Sequence, residues 1–381
     1  MSEAVYDVAV VGGGLGGLVS SLLLAQRGRR VVLLEKRRYP FHKVCGEYVS
    51  NETRPFLAGL GVHPEALGAA EIRHLEVSAP SGRRLEAPLA QGGFGVSRYR
   101  LDQYLVDRCR SAGVEVWEGA AVKTIAQQGQ AYALETETGA LEANLVIGSW
   151  GKRSTLDAAL GRPFMQRQEP YVGVKYHVRL DFPTDRIALH NFSGGYCGLS
   201  AIEDGRYCLC YLAHRAGTRG AGSLEAFERQ VVRRNPHLDR VWATAEWLYE
   251  APEVISAFSF APKATVEAGI WHVGDAAGLI TPLCGNGMAM AIHGAKLLFD
   301  TVEHAGAFAG GKAPTASERL ALEAAYARRW RQLFARRLAA GRWLQRWLFG
   351  NTTLSETAVA SLRHLPQATQ GLVRLTHGRP F

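Results

Sequence analysis

Apolar residues change period twice within the first thirty-five positions. Tyr6-Asp-Val-Ala-Val-Val11 is an apolar run of strand length, rich in β-branched residues, and Gly12-Gly-Gly14 ends it. Leu15, Leu18, Val19, Leu22, Leu23 and Leu24 then recur at helical spacing until Gly28. Arg30-Val-Val-Leu-Leu34 returns to a strand pattern and stops at Glu35. The predicted order is strand, glycine turn, helix, strand, acid. Farther along, Gly113–Trp117 and Ala120–Lys123 read as strands, and the stretches Leu75–Pro88 and Tyr171–Ser259 alternate as antiparallel sheet does. Ile270–Val273 is a strand leading into a glycine-rich turn and an Ala-rich helix to Asp300. Beyond Gly310-Gly-Lys-Ala-Pro314, the stretch Ser317–Phe349 is helical in composition. There Tyr326, Trp330, Leu333, Phe334, Leu338, Trp343 or Leu344, and Trp347 mostly follow three-four spacing, with Arg328, Arg329, Arg336, Arg342 and Arg346 at other positions.

Composition adds limits. With 381 residues, 47% hydrophobic and 21% charged, the chain has the balance of a globular protein and length for one to three domains. The first strand starts too early to leave room for a signal peptide, and no apolar run approaches a membrane span. Six cysteines lie without CxxC or zinc-like spacing, so free thiols in a cytoplasmic protein are expected, and no metal site. The net charge of +9 resembles a nucleic-acid signal until it is located. Residues 313–381 hold eleven Arg against three acids, and the remainder is close to neutral. A basic helical tail reads first as a solvated helix face, and more sharply as peripheral docking on an anionic membrane. No nucleic-acid partner is expected.

The glycine turn carries chemistry. Gly12, Gly14 and Gly17 fit G-x-G-x-x-G: a tight turn, close backbone approach to a pyrophosphate, and close packing of helix on sheet. The helix opening at Leu15 offers unpaired N–H groups and partial positive charge to phosphates. Glu35, eighteen residues past Gly17 and followed by Lys36, is placed to accept both hydroxyls of an adenosine ribose. An acid there disfavours a 2′-phosphate.

Two more motifs follow. The first is His272-Val-Gly-Asp-Ala-Ala-Gly278, continuing through Thr281-Pro282 to Leu283-Cys-Gly-Asn-Gly-Met288; the second is Ser97-Arg-Tyr-Arg-Leu-Asp-Gln-Tyr-Leu105. Together with the glycine turn they resemble the 4-hydroxybenzoate-hydroxylase-like flavoproteins, which include aromatic hydroxylases, geranylgeranyl reductases and flavin-dependent halogenases. The resemblance implies an α/β fold: a Rossmann-like FAD-binding domain, an inserted antiparallel substrate sheet and a C-terminal helical segment. Its expected divisions are FAD-binding parts at 1–74, 98–165 and 263–312, sheet parts at 75–97 and 166–262, and basic helices at 313–381. It implies FAD contacts at Gly12, Gly14, Leu15, Gly17, Glu35, Lys36, Cys45, Gly46, Val122 (through its backbone, at the adenine), Gly151, Asp275 (ribityl chain), Pro282, Gly285, Gly287 and Met288. Arg98 is the matching cation for the phosphate or ribityl region, with Arg100 its rival.

Phe41-His-Lys-Val-Cys-Gly-Glu-Tyr48 resembles the K-x-C-G segment of the reductases and the H-x-x-G-E segment of phenolic halogenases, which places Cys45 beside the flavin as a candidate catalytic thiol. Three departures bear on the reaction. Gly198, Ser200 and Ala201 stand where the relatives carry Trp, an apolar residue and Pro, which suggests a roomier pocket. Residues 61–82 contain no lysine of the kind halogenases need. Trp150 replaces the Asp of the hydroxylases' D-G motif, leaving NAD(P)H or another reductant open as electron donor. The resemblance therefore implies a monooxygenase that hydroxylates a hydrophobic aromatic or polyketide-like molecule through a flavin hydroperoxide. The alternative is reduction of C=C bonds in an isoprenoid chain, with halogenase or non-enzymatic flavin module behind it.

Overall fold

The computed structural model describes residues 5–167, 169–304, 314–348 and 351–381. It opens with strand β1 (Tyr6–Val11), helix α1 (Leu15–Gln26) and strand β2 (Val31–Glu35), as the periodicity predicts. Then come β3 (Tyr48–Ser50), α2 (Arg54–Gly59), β4 (Ala70–Ser78), β5 (Arg84–Gly95), α3 (Arg98–Ser111), β6 (Glu115–Glu118), β7 (Val122–Gln128), β8 (Ala131–Thr136), β9 (Ala140–Gly148) and α4 (Thr155–Ala159). The middle of the chain holds β10 (Tyr171–Arg179), β11 (Arg186–Phe192), β12 (Gly195–Ala201), β13 (Tyr207–His214), α5 (Arg215–Gly220), α6 (Leu224–Gln230), α7 (Pro236–Thr244), β14 (Glu246–Trp247) and β15 (Glu253–Ile255). The last third holds β16 (Val266–Glu267), β17 (Ile270–His272), α8 (Gly287–His304), α9 (Ala316–Leu348), α10 (Thr352–Leu362) and α11 (Pro366–Thr376).

Two sheets organise these elements. In the first, β6, β2, β1, β9 and β17 lie side by side and parallel, and the β7–β8 hairpin joins antiparallel at β9. Val8, Ala9, Val10, Val32 and Leu33 have no exposed surface. Burial on both faces is why these strands read as continuous apolar runs. The second sheet runs β14-β10-β13-β12-β11-β4-β5-β3, with β15 also on β10, and only β11–β4 among its pairs is parallel.

Strands of the second sheet begin at Tyr48 and Ala70, ahead of the boundary expected at residue 75. The three residues of β3 are all buried, so no alternation marks them. The expected strands at 113–117 and 120–123 begin two residues later, because Gly113 and Gly119 take positive φ (+87° and +70°) and belong to turns.

Helices α1, α3 and α8 cover one face of the parallel sheet, and α9 packs on α8: Leu18, Leu105, Ile292 and Phe334 share one core. On α9, Tyr326, Trp330, Phe334, Leu338 and Leu344 are buried while Trp343 is exposed, which resolves the register in favour of Leu344. The side chain of Trp347, together with Phe349 and Gly310-Gly-Lys312, lies outside the described residues. Arg328, Arg336 and Arg346 are exposed as a wet basic side requires. Arg319 and Arg337 are buried instead: Arg319 donates to the Gln130 and Asn144 carbonyls, and Arg337 pairs with buried Glu52. Among the described residues no helix is long and apolar enough to cross a membrane.

Candidate functional site

The turn between β1 and α1 is built from backbone that leaves no room for side chains. A Cβ at Gly12, whose φ is +102°, would lie 2.5 Å from the Ser149 carbonyl oxygen, and one at Gly17 would lie 2.2 Å from the Gly12 carbonyl oxygen. Gly14 differs: a Cβ there would meet only the Ser149 oxygen, at 3.9 Å, so its outer side is open. Gly14 caps α1 with no side-chain hydrogen bond, and the first turn, which starts at Leu15, holds no acid. An open helix N-terminus with free N–H groups is a cradle for a diphosphate.

Glu35 is buried at the end of β2. One carboxylate oxygen accepts the Gly13 N–H (2.8 Å) and the other the Arg37 N–H (3.0 Å). Each oxygen has a second lone pair for a ribose hydroxyl. Glu35 therefore also fastens the phosphate turn to the second strand, a job its spacing from Gly17 did not reveal. Tyr39 Oη donates to the Gly13 carbonyl at 2.6 Å and ties down the same turn.

The three motifs converge. A Cβ at Gly16 would sit 3.1 Å from Val273 and 3.3 Å from the Gly274 nitrogen, so the Gly-Asp segment packs directly on α1. Ser97 caps α3 by accepting the Arg100 N–H, and this directs Arg98 inward. Arg98 donates twice to Asp102, both bonds 2.8 Å, and Lys43 donates to the same carboxylate at 2.8 Å. Burial works against the Arg98 charge, but Asp102 beside it raises its pKa further, with smaller help from Cys45 and Asp275 nearby. Arg98, Cys45 and Asp275 thus lie near enough for their charges to be felt by one another. Arg100 turns away from this group, to Asp204 and the Leu67 carbonyl. Lys36 and Pro282 are exposed at the rim, Val122 pairs with Thr136 at the start of the β7–β8 hairpin, and Gly151 (φ +88°) turns the chain after β9 with open space at its Cβ position.

Below the loop that carries Cys45 and Gly46 lies an ionic cluster that sequence reading missed. Glu47, with no exposed surface and φ +54°, accepts from Lys175 Nζ (2.5 Å), from the Arg98 N–H (2.8 Å) and from His177 Nε2 (2.6 Å). Burial pushes its carboxyl up, yet Lys175 and His177 win and hold it at about 2. The Cys208 thiol donates to the Cys45 carbonyl at 3.2 Å. Ligand atoms of Glu47, His177 and Cys208 lie within 4.8 Å of one another, as a metal site requires, but the Lys175 ammonium already supplies the cation. His42 roofs the cluster: Tyr249 Oη bonds its Nδ1 at 2.8 Å, and its ring stacks on Tyr99 at 4.7 Å. Burial and neighbouring Lys175 lower His42 to about 4, so it is neutral at pH 7. The pairs span about 130 positions of chain, so no local pattern could announce them.

Asp275 sits in a single helical turn whose backbone is anchored from below: Lys263 Nζ donates to the Asp275 carbonyl (2.7 Å) and to the Lys152 carbonyl (2.9 Å). Burial lowers Lys263 to about 8, with Asp275 opposing. Trp150 donates through Nε1 to Asp157 at 3.0 Å, and Asp157 also pairs with buried Arg162. The Trp150 ring thus packs against the His272 ring and the core of the parallel sheet.

Gly285 takes φ +64°, with Tyr48 3.0 Å from its Cβ position, and α8 starts at Gly287 with no acid in its first turn. Met288 is buried behind it. Against this loop opens an apolar cavity of about 130 Å³. Its walls are Leu283, Cys284 and Gly285, the inward residues of β4, β5 and β11, and the helices α9, α10 and α11.

Comparisons with known proteins agree with this architecture. A family profile described as FAD binding domain matches residues 5–305. Conditioned medium factor receptor 1 of Dictyostelium discoideum is 24% identical over 328 residues, covering 77% of this chain and 62% of its own length. The chain therefore spans less than two thirds of that relative. Digeranylgeranylglycerophospholipid reductase of Thermoplasma volcanium is 26% identical over 309 residues, 75% of each chain. A triple mutant of the flavin-dependent brominase Bmp2 superposes with a TM-score of 0.76 at 16% identity, covering 98% of this chain and 95% of its own.

Proposed function

Since the chain belongs to the FAD binding domain family, a family of oxidoreductases, we propose that it is a monooxygenase acting on a small hydrophobic, aromatic or polyketide-like molecule. The observation that carries this reading is the apolar cavity set against the Gly285 loop. Its volume compares with the roughly 150 Å³ dry cavity that accepts benzene. One ring or a short branched group fits such a space better than an extended prenyl chain.

The residues present fit FAD: the open Gly14 cradle, Glu35 with a free lone pair on each carboxylate oxygen, and Arg98 in electrostatic reach of Asp275. When bound, FAD supplies the two-electron chemistry. This chain's part is to hold it and to exclude water. The N–H groups at the start of α1 would bind the diphosphate, and those at the start of α8 would favour negative charge on a reduced pyrimidine ring. The C-terminal helices α9, α10 and α11 supply one side of the cavity wall. In the proposed reaction one atom of O₂ enters the substrate as hydroxyl and the other leaves as water. The two electrons come from NAD(P)H or a partner reductase.

The test is aerobic turnover of the reduced holoenzyme with alkylphenol probes under ¹⁸O₂. Incorporation of one labelled oxygen per product is expected. Anaerobic reduction of an isoprenoid alkene by the reduced enzyme, without oxygen incorporation in the aerobic assay, would overturn the reading. That second outcome is the C=C reductase, which Lys43-Val-Cys-Gly46 and the Thermoplasma volcanium relative favour.

A further inference from the structure

The turn that carries Asp275 is held from behind by two cations, and only one of them is neutralised. Arg162 donates to the Ala264 carbonyl (2.6 Å) and the Ala276 carbonyl (3.1 Å), and its charge is matched by Asp157 at 2.8 Å and Glu267 at 2.9 Å. Lys263 donates to the Asp275 carbonyl (2.7 Å) and the Lys152 carbonyl (2.9 Å), and the Phe164 ring lies 4.2 Å from its Nζ. Among the described residues Lys263 forms no ion pair. Charged groups on each side act on it at longer range. Asp275 on the turn and Asp157 on α4 favour its charge, while Arg162 and Lys152 oppose it. His272 on β17 also feels it, but burial keeps that ring neutral. Burial outweighs the two aspartates and brings Lys263 down to about 8, where an ordinary lysine holds its proton to about 10.

The place of this charge gives it a use. Gly274, next to Asp275, packs on the first turn of α1: a Cβ at Gly16 would lie 3.3 Å from the Gly274 nitrogen. Lys263 therefore stands behind the turn that abuts the diphosphate cradle. A partly buried cation without a carboxylate partner is stabilised by an anion that settles nearby, and FAD brings one in its diphosphate. As an ammonium, Lys263 also makes charge-assisted bonds to its two carbonyls, stronger than those of a neutral amine. We propose that Lys263 is a positioning residue of the FAD site: as a cation it fixes the Asp275 turn, and cofactor binding is coupled to its protonation. This rests on the FAD site and is indifferent to the reaction carried out there. The coupling has one sign. Below about pH 7 Lys263 is charged before and after binding, and FAD affinity is level. Above about pH 8 the free protein has lost that proton, so binding must take one up, and affinity falls by up to about tenfold per pH unit.

The experiment titrates the full-length apoprotein with oxidised FAD at pH 6, 7, 8 and 9, read by quenching of flavin fluorescence. Calorimetry at pH 9 in two buffers of different ionisation enthalpy counts the protons taken up. The dissociation constant is expected to be level from pH 6 to 7 and about tenfold higher at pH 9 than at pH 7, with nearly one proton taken up per FAD at pH 9. Lys263→Arg, whose guanidinium stays charged throughout, should remove the slope. Lys263→Met should bind FAD about tenfold more weakly at pH 7, and equally weakly at pH 9. A level dissociation constant without proton uptake in the unaltered protein would overturn the proposal, whether or not the variants fold. FAD would then still bind, and the cofactor site would stand. A slope that survives in folded Lys263→Arg or Lys263→Met would assign the proton to another group and overturn the role of Lys263. No binding of FAD at any pH would overturn the site and this inference together.

Discussion

At the scale of single residues, two glutamates separate what spacing can reveal from what it cannot. Glu35 was legible: it ends the second strand at the distance from Gly17 that a dinucleotide turn sets. Its two hydrogen bonds to Gly13 and Arg37 give it a structural duty beside the ribose contact proposed for it. Glu35→Ala removes a charged acceptor from both partners, and a hydrogen bond to a charged group is worth about 1.5–3 kcal/mol. FAD affinity should fall roughly tenfold to a hundredfold, measured by quenching of flavin fluorescence on titrating the apoprotein. Unchanged affinity would assign the ribose to another group. Glu47 was illegible, because its partners lie on β10, far along the chain. Removing its charge in Glu47→Gln leaves Lys175 buried and unpaired, a loss of about 3–5 kcal/mol, measured by urea unfolding at pH 7. The pH dependence has a definite sign. A carboxyl held at about 2 in the fold, against an unfolded value of about 4.3, contributes fully above pH 5. That contribution is lost as pH falls from about 5 toward 2. The unaltered protein should lose stability over that window, and Glu47→Gln should lose less. Parallel curves for the two proteins would show that Glu47 titrates normally.

At the scale of elements, legibility follows contiguity. β1, α1 and β2 are neighbours in sequence and in space, so apolar period and glycine spacing described them together. Gly17 shows how tight that unit is: a methyl group there would lie 2.2 Å from the Gly12 carbonyl. Gly17→Ala should destabilise by about 1–3 kcal/mol and weaken FAD binding, both visible in thermal unfolding with and without FAD. Retention of both would mean that helix and turn can separate. The second sheet was only partly legible: β3 is too short to show a period, and β4 begins where sequence alone suggested the end of a nucleotide-binding segment. On α9 the heptad-like spacing left Trp343 and Leu344 as equals, and only the packing of Leu344 with Leu279, Leu283, Phe258 and Phe260 separates them. Leu344→Ala should cost about 2–5 kcal/mol and enlarge the cavity. Trp343→Ala, on the exposed side, should leave stability nearly unchanged, within about 0.5 kcal/mol. Similar losses from both substitutions would place the helix in the other register.

At the scale of the whole molecule, the chain visits its two sheets alternately. The parallel sheet takes strands from 6–35, 115–148 and 266–272, and the second sheet takes 48–95 and 171–255. Neither sheet is a contiguous piece that can fold and leave the other behind. The Cys45 loop is bonded to β10 and β13 through Lys175 and Cys208, and Arg337 of α9 reaches Glu52 beside β3. The proposed FAD site lies where the three visits to the first sheet meet, so FAD bound there should stabilise everything together. At free FAD one hundred times its dissociation constant the gain is about 2.7 kcal/mol. Calorimetry should then show one transition for the apoprotein and one, at higher temperature, for the holoprotein. The circular dichroism and tyrosine fluorescence curves should coincide. Two resolved transitions, with only one shifted by FAD, would mean that the sheets are energetically separate. The Lys175–Glu47 contact and the Arg337–Glu52 pair would then be bridges between domains and not parts of one core.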